Sequence, residues 1–174
     1  AIMFYAVFTN LWIVKSLVSG YGLIGLFLAS VVANATVFLP MPIDLIILAS
    51  AETLGLKNVL VAALALGAGA AVGEMTSYIT GALGANAIKS LGIKELEKVE
   101  QIKDRIGERG MLFIFLGAVI PFPFDLIGIT AGIIHYDWRK VFIAALFGKT
   151  IRYIIIGLAG YFGFALIKGL IGSA

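Results

Sequence analysis

The sequence predicts an all-α integral membrane protein: an inverted repeat of two re-entrant helical hairpins, each followed by a transmembrane helix. Three observations carry that prediction. Of the 174 residues, 61% are hydrophobic and 13% charged, with a mean hydropathy of +1.06, whereas a soluble domain needs far more polar surface. Apolar stretches reach bilayer-crossing length more than once. A proline-broken motif, PxPxDLI, occurs at 40–46 and again at 121–127. The whole chain, 1–174, reads as one membrane domain.

The elements follow in order. Residues 1–19 read as an apolar helix at or in the interface, with Lys15 able to reach water. Residues 21–38, YGLIGLFLASVVANATVF, run most of the way across until Pro40 and Pro42 stop them. Residues 43–54 resume as a helix of roughly 18 Å, too short to cross alone. The two arms therefore read as one hairpin entering and leaving on the same side. Residues 57–83 form a span whose LALGAGAAVG centre permits close backbone approach in lipid. Residues 86–109 change character, holding six basic and five acidic residues. Ile93, Leu96, Val99, Ile102 and Ile106 make them an amphipathic linker helix outside the hydrocarbon. Residues 110–135 form the second hairpin, VIPFPFDLIGITAG, with Gly132 closing its second arm. Residues 138–162 form the second span, where Gly148, Gly157, Gly160 and Gly163 are placed for close packing. An apolar tail, 163–174, follows.

The two proline breaks are echoes of one another. VLVAAL (59–64) and VFIAAL (141–146) continue the match in near register, which points to duplication. Repeat one covers about 20–84 and repeat two about 110–163. With one crossing in each half, the second starts on the opposite side, so the repeats are inverted, a recurrent transporter architecture. The linker's basic residues, with Arg139 and Lys140, outnumber Lys15, Lys57 and Lys168 on the other side. The positive-inside rule then puts the linker in the cytoplasm.

The intramembrane charges are the candidate site. A proline removes a backbone donor and crowds the preceding turn, and such backbone is tolerated in a membrane only where protein or water satisfies it. Asp44 and Asp125 stand just after the breaks, in the opening turn of each second arm. One reading is that each caps its helix. The other is that the two face a cavity and meet, sharing a proton or binding a cation or amine. Glu74 lies in the first span. Lys149 and Arg152 lie in the second, three residues apart on one face. They form either a structural ion-pair network with the acids or an anion site, with Arg152 recognising phosphate and Lys149 supplying a mobile charge. Asn34 faces either the hairpin cavity or its own helix, Glu52 reads as interfacial, and Tyr78 either supports Glu74 or anchors the helix end. His135, Tyr136, Asp137 and Trp138 read as an interfacial loop.

Other classes find little support. Cysteine is absent, which excludes disulfides and thiolate sites. One histidine and distant carboxylates assemble no metal site, and no nucleophile constellation marks an enzyme. No cofactor is implied. A net charge of +3 without an aromatic-interleaved basic face argues against nucleic acid. The opening AIMFYAVFTN lacks the basic region of a signal peptide.

VIPFPFDLIGITAG followed by FIAALFGKTIRYIIIGLAGYFG resembles the conserved half of the DedA superfamily, also called the VTT or SNARE-associated Golgi protein domain, closest to its YqaA-like branch. FLPMPIDLIILAS followed by VGEMTSYITGALG is similar to the other half, so the resemblance spans about 20–165. It implies two opposed re-entrant hairpins with Pro40, Pro42, Pro121 and Pro123 at the breaks. It also implies lipid work: phospholipid scrambling or the recycling of lipid-carrier phosphates, proton-coupled in some members. On this resemblance Asp44 and Asp125 match the acidic hairpin positions, Glu74 the acid of the first following helix, and Arg152 the arginine of the second. Typical bacterial members have arginines where Ala118 and Phe124 stand, and an acid near Asn34. The expected function is a transporter or flippase of anionic lipid headgroups in the plasma membrane of a prokaryote, with lipids or lipid-linked phosphate and protons as partners. A homo-oligomer is compatible with it. The alternatives are a scaffold or assembly factor and a small-cation exporter.

Overall fold

The computed structural model describes residues 22–35, 43–90, 107, 109–121 and 123–171. The expected helix at 1–19, the first proline pair and linker residues 91–106 lie outside the described residues. Within them the chain is helical throughout: α1 (Gly22–Asn34), α2 (Ile43–Leu54), α3 (Leu56–Ser90), α4 (Arg109–Val119), α5 (Phe124–Ile133) and α6 (Trp138–Ile171). No strand is present among these residues. Two stretches, Leu56–Ala85 and Trp138–Gly163, are long and apolar enough to cross a membrane.

Three boundaries differ from expectation. Helix α1 ends at Asn34, before the expected 38. Residues 86–90 belong to α3 rather than to a separate linker, because nothing in NAIKS interrupts a helix. Helix α6 continues to Ile171, absorbing most of the expected tail, since no proline stops it. Helices α2 and α3 are separated by Gly55 alone, at φ 76°, a left-handed conformation that suits glycine.

The second break lies where the sequence puts it. Helix α4 stops at Val119, Ile120 and Pro121 turn, and Pro123 caps α5 with φ −60° and ψ 99°. Proline at this position surrenders no helical donor, since the first N–H groups of a helix have no partner within it. Gly132 does not close the arm. The helix runs one residue further, and the left-handed residue is His135, at φ 48°.

Helices α3 and α6 pack along one another at the centre. Helix α5 packs on α3, while α2 and α4 pack on α6. Each long helix thus carries the short helix that follows the other half's proline pair. Helix α1 meets α3 where Gly69 and Gly73 approach the backbone of Phe27 and Val31. The echoed positions are equivalently placed: Val59 and Val141 are 0% and 1% exposed, and Ala63 and Ala145 are both fully buried.

Small residues set these distances, the usual means of helix association where lipid removes the hydrophobic drive. A Cβ on Gly132 would lie 2.0 Å from the Tyr78 carbonyl oxygen, and one on Gly160 2.3 Å from that of Leu48. Gly148 and Gly157 are similarly tight, but Gly163 faces open space, so its expected packing role is not borne out. Gly132→Ala is expected to lower stability by about 1–3 kcal/mol through overpacking, read as a lower melting temperature in detergent. Gly163→Ala should leave it unchanged or slightly raised.

Candidate functional site

The five charged side chains singled out in the sequence gather where α1, α2, α3, α5 and α6 meet. Lys149 Nζ lies 2.5 Å from Glu74 Oε1, with both side chains buried. It also donates to Asn34 Oδ1 at 3.2 Å and stands 5.4 Å from the centroid of the Phe124 ring, within cation–π reach. Asn34 is oriented by its own helix, donating to the Ser30 carbonyl at 2.9 Å. The expected bond to its own helix is therefore present, and its amide oxygen is turned to Lys149. Ser30 in turn donates to the Leu66 carbonyl at 2.6 Å, tying α1 to α3.

One turn beyond Lys149, Arg152 pairs with Asp44 Oδ2 in the first turn of α2. Its other terminal nitrogen donates to the Ile120 carbonyl at 3.2 Å. One guanidinium thus joins the helix after the first proline pair to the backbone at the second break. The planar fork of arginine suits such a double engagement; a lysine cannot present two donors at that fixed spread.

Asp125 has a different partner. Ser77 Oγ, fully buried on α3, donates to its Oδ1 at 2.6 Å. Pro123, the α5 cap residue, has no side-chain capping bond. No hydrogen bond joins Asp44 to Asp125 among the described contacts. Each carboxylate instead contacts the long helix of the opposite half. Ser77→Ala is expected to cost about 1–2 kcal/mol in detergent unfolding. Asp125→Asn, whose amide oxygen still accepts from Ser77, should cost less.

Tyr78 settles on the second of its two expected uses. Its hydroxyl donates to the Tyr136 carbonyl at 2.7 Å, and that of Tyr136 donates to Gly107 O at 3.0 Å. It anchors the turn between α5 and α6 and makes no bond to Glu74.

Ionised throughout, the centre holds three carboxylates (Asp44, Glu74, Asp125) against two cations (Lys149, Arg152). Among the described residues of the centre, no positive charge is left over for an anion. Two atoms nevertheless stay unmatched by protein: Glu74 Oε2 and Arg152 Nε are buried without a hydrogen bond. One is an acceptor and the other a donor, and buried polar atoms of this kind call for a partner. Ser77, Ser30 and the Ile120 carbonyl are site components that the sequence does not single out, and Phe124 stands out there only as an apolar residue where similar proteins carry arginine. Of the first three, Ser77 alone leaves a trace there, three residues after Glu74 and so on the same face.

The described fold and site define an all-helical membrane protein whose central pair of helices holds one enclosed and one partly exposed ion pair beside short helices that follow proline breaks. The VTT domain model matches residues 39–162, most of the chain, and the chain belongs to that family, the DedA family. Its members are generally membrane proteins thought to be transporters or flippases. No curated protein and no solved structure matches the chain.

Proposed function

We propose that this protein moves lipids with anionic phosphate headgroups, phospholipid or polyprenyl phosphate, across the membrane, coupled to protons. The observation that carries this reading is the double engagement of Arg152, to Asp44 and to the Ile120 carbonyl beside the second break. A phosphate is a bidentate acceptor for arginine and competes with Asp44 for the same guanidinium. Because the centre has no spare positive charge, the displaced Asp44 is neutralised by taking up a proton. Lipid binding and proton uptake are then one event. Lys149 attracts the phosphate, Glu74 holds Lys149 between turnovers, and Asp125 gates the second break.

In this reading α1 with α2, and α4 with α5, are opposed re-entrant hairpins of an inverted repeat. The exchange of short helices between the two long ones supports that symmetry, as does the equal burial of the echoed positions. Resemblance to the YqaA-like branch, location in a prokaryotic plasma membrane and a cytoplasmic linker complete the proposal. Catalysis of bond making or breaking is not part of it.

The test is headgroup-resolved lipid transport in liposomes, with and without a proton gradient, for the parent protein and for D44N, D125N and R152Q. Movement of phosphate-bearing lipid that at least one folded variant abolishes supports the proposal. No movement under either condition ends it. The scaffold reading draws on the pairing of the buried charges, and predicts that every variant loses fold and phenotype together.

A further inference from the structure

The geometry points to a seat for one lipid hydrocarbon chain in the cleft between α4 and α5. The cleft has a volume of about 340 Å³ and is lined by residues including Phe113 and Ile114 of α4 and Leu126, Ile127 and Thr130 of α5. Near the break the two helices touch: a Cβ on Gly117 would fall 2.1 Å from Ile127 Cδ1. Farther out the space is open, extending along α5 from Leu126 to Ile134, about 12 Å at helical rise.

Its chemistry excludes a headgroup. The two side chains that bring polar atoms to the lining have spent them on the protein. Thr130 donates to the Leu126 carbonyl at 2.6 Å, and Tyr136 to Gly107 O at 3.0 Å. What remains is aliphatic and aromatic. In a bilayer no hydrophobic force drives a chain into such a space, but an unfilled one forfeits dispersion contacts on every wall, and the surrounding solvent is itself hydrocarbon chain. The corresponding cleft in the first half, lined by Leu26, Ile43 and Ile46 among others, has only about 110 Å³. Helix α3 contributes Ala62 and Leu66 to that smaller cleft and to none of the larger one. The seat therefore belongs to the second half.

The inner end of the cleft is also next to the charged centre along the chain. Leu126 and Ile127 directly follow Asp125, and α4 leads to Ile120, whose carbonyl Arg152 holds. A lipid with its phosphate at Arg152 can lay one chain along the cleft. This last step rests on the proposed transport function; the seat itself does not.

The experiment uses the full chain in phosphatidylglycerol vesicles doped with a phospholipid carrying a mid-chain diazirine. After irradiation, label is mapped by peptide mass spectrometry. Phe113 and Leu126 are 69% and 58% exposed, and Leu64 and Ile155 on other faces are 58% and 54% exposed. Exposure to ordinary surrounding lipid therefore does not by itself favour the cleft residues. The seat predicts several-fold enrichment at 113–114 and 126–130. Thr130→Trp, or Leu126→Phe as a second filling variant, should remove that enrichment while leaving Leu64 and Ile155 unchanged. Even labelling overturns the proposal. So does crosslinking of the cleft to a second copy or to residues 91–106, which would show another occupant. Enrichment in vesicles where no lipid moves keeps the seat and removes the transport reading; transport without enrichment removes the seat.

Discussion

If the proposed function holds, Arg152→Gln is expected to reduce transport of phosphate-bearing lipid about thirtyfold or more, because truncating one partner of a buried, hydrogen-bonded charge pair, here guanidinium and phosphate, costs about 2–5 kcal/mol in binding. The fold should survive. The Asp44 side chain is 35% exposed and that of Arg152 14%, so the carboxylate left behind is not sealed inside the protein. Arg152→Lys separates charge from geometry. It keeps the cation but cannot span Asp44 and Ile120 together, and should transport at an intermediate rate. Asp44→Asn isolates the proton. Its amide oxygen still accepts from Arg152, but it cannot be protonated in exchange for phosphate, so residual transport should no longer respond to a proton gradient. The readout is headgroup-resolved flux in liposomes at matched protein content. Equal flux for parent and Arg152→Gln would remove Arg152 from the site.

The largest effect on stability is expected at the other ion pair. The side chains of Lys149 and Glu74 are 7% and 5% exposed, so neither can turn to water if its partner is lost. Lys149→Met alone leaves Glu74 as an uncompensated buried charge and should cost about 3–5 kcal/mol, whereas replacing both partners by uncharged groups of similar volume is often neutral or stabilising. The double variant with Glu74→Gln should therefore recover most of what the single one loses. Melting in detergent, followed by size-exclusion of the heated sample, reads both. If the single and double variants melt together below the parent, the loss comes from the lysine's packing against Phe124 and Asn34 rather than from the stranded charge. Under the proposed function, this burial suits Glu74 and Lys149 to holding the site together, while the more accessible Arg152 suits exchange of its partner.

Much of this was legible in the chain. Alternation between long apolar runs and a charged linker identifies spans because a bilayer imposes both length and composition. The PxPxDLI echo marks the breaks because proline cannot continue a helix without losing a donor. The start of α2 at Ile43 and the break at 120–123 follow from those residues alone. Boundaries without such punctuation were not legible: α3 and α6 run past their expected ends because nothing local stops them, and the stop depends on surroundings. Gly132 misleads for a related reason. A glycine near a helix end can terminate the helix or admit a neighbour, and only the neighbour, here the Tyr78 carbonyl 2.0 Å from a would-be Cβ, decides between them.

The same division holds at the site. Sequence by itself determined that five ionisable groups lie in or beside apolar helices and must be matched, since an unpaired charge in hydrocarbon is too costly to keep. It also set Lys149 and Arg152 on one face, a consequence of helical period. Which acid meets which base was decided only by tertiary structure. Glu74 takes Lys149, Asp44 takes Arg152, and Asp125 takes the Ser77 hydroxyl. The physical reason is that pairing across helices depends on crossing angle and approach distance, and these are set by small residues such as Gly69, Gly128 and Gly160, whose contacts lie on other helices, distant in sequence.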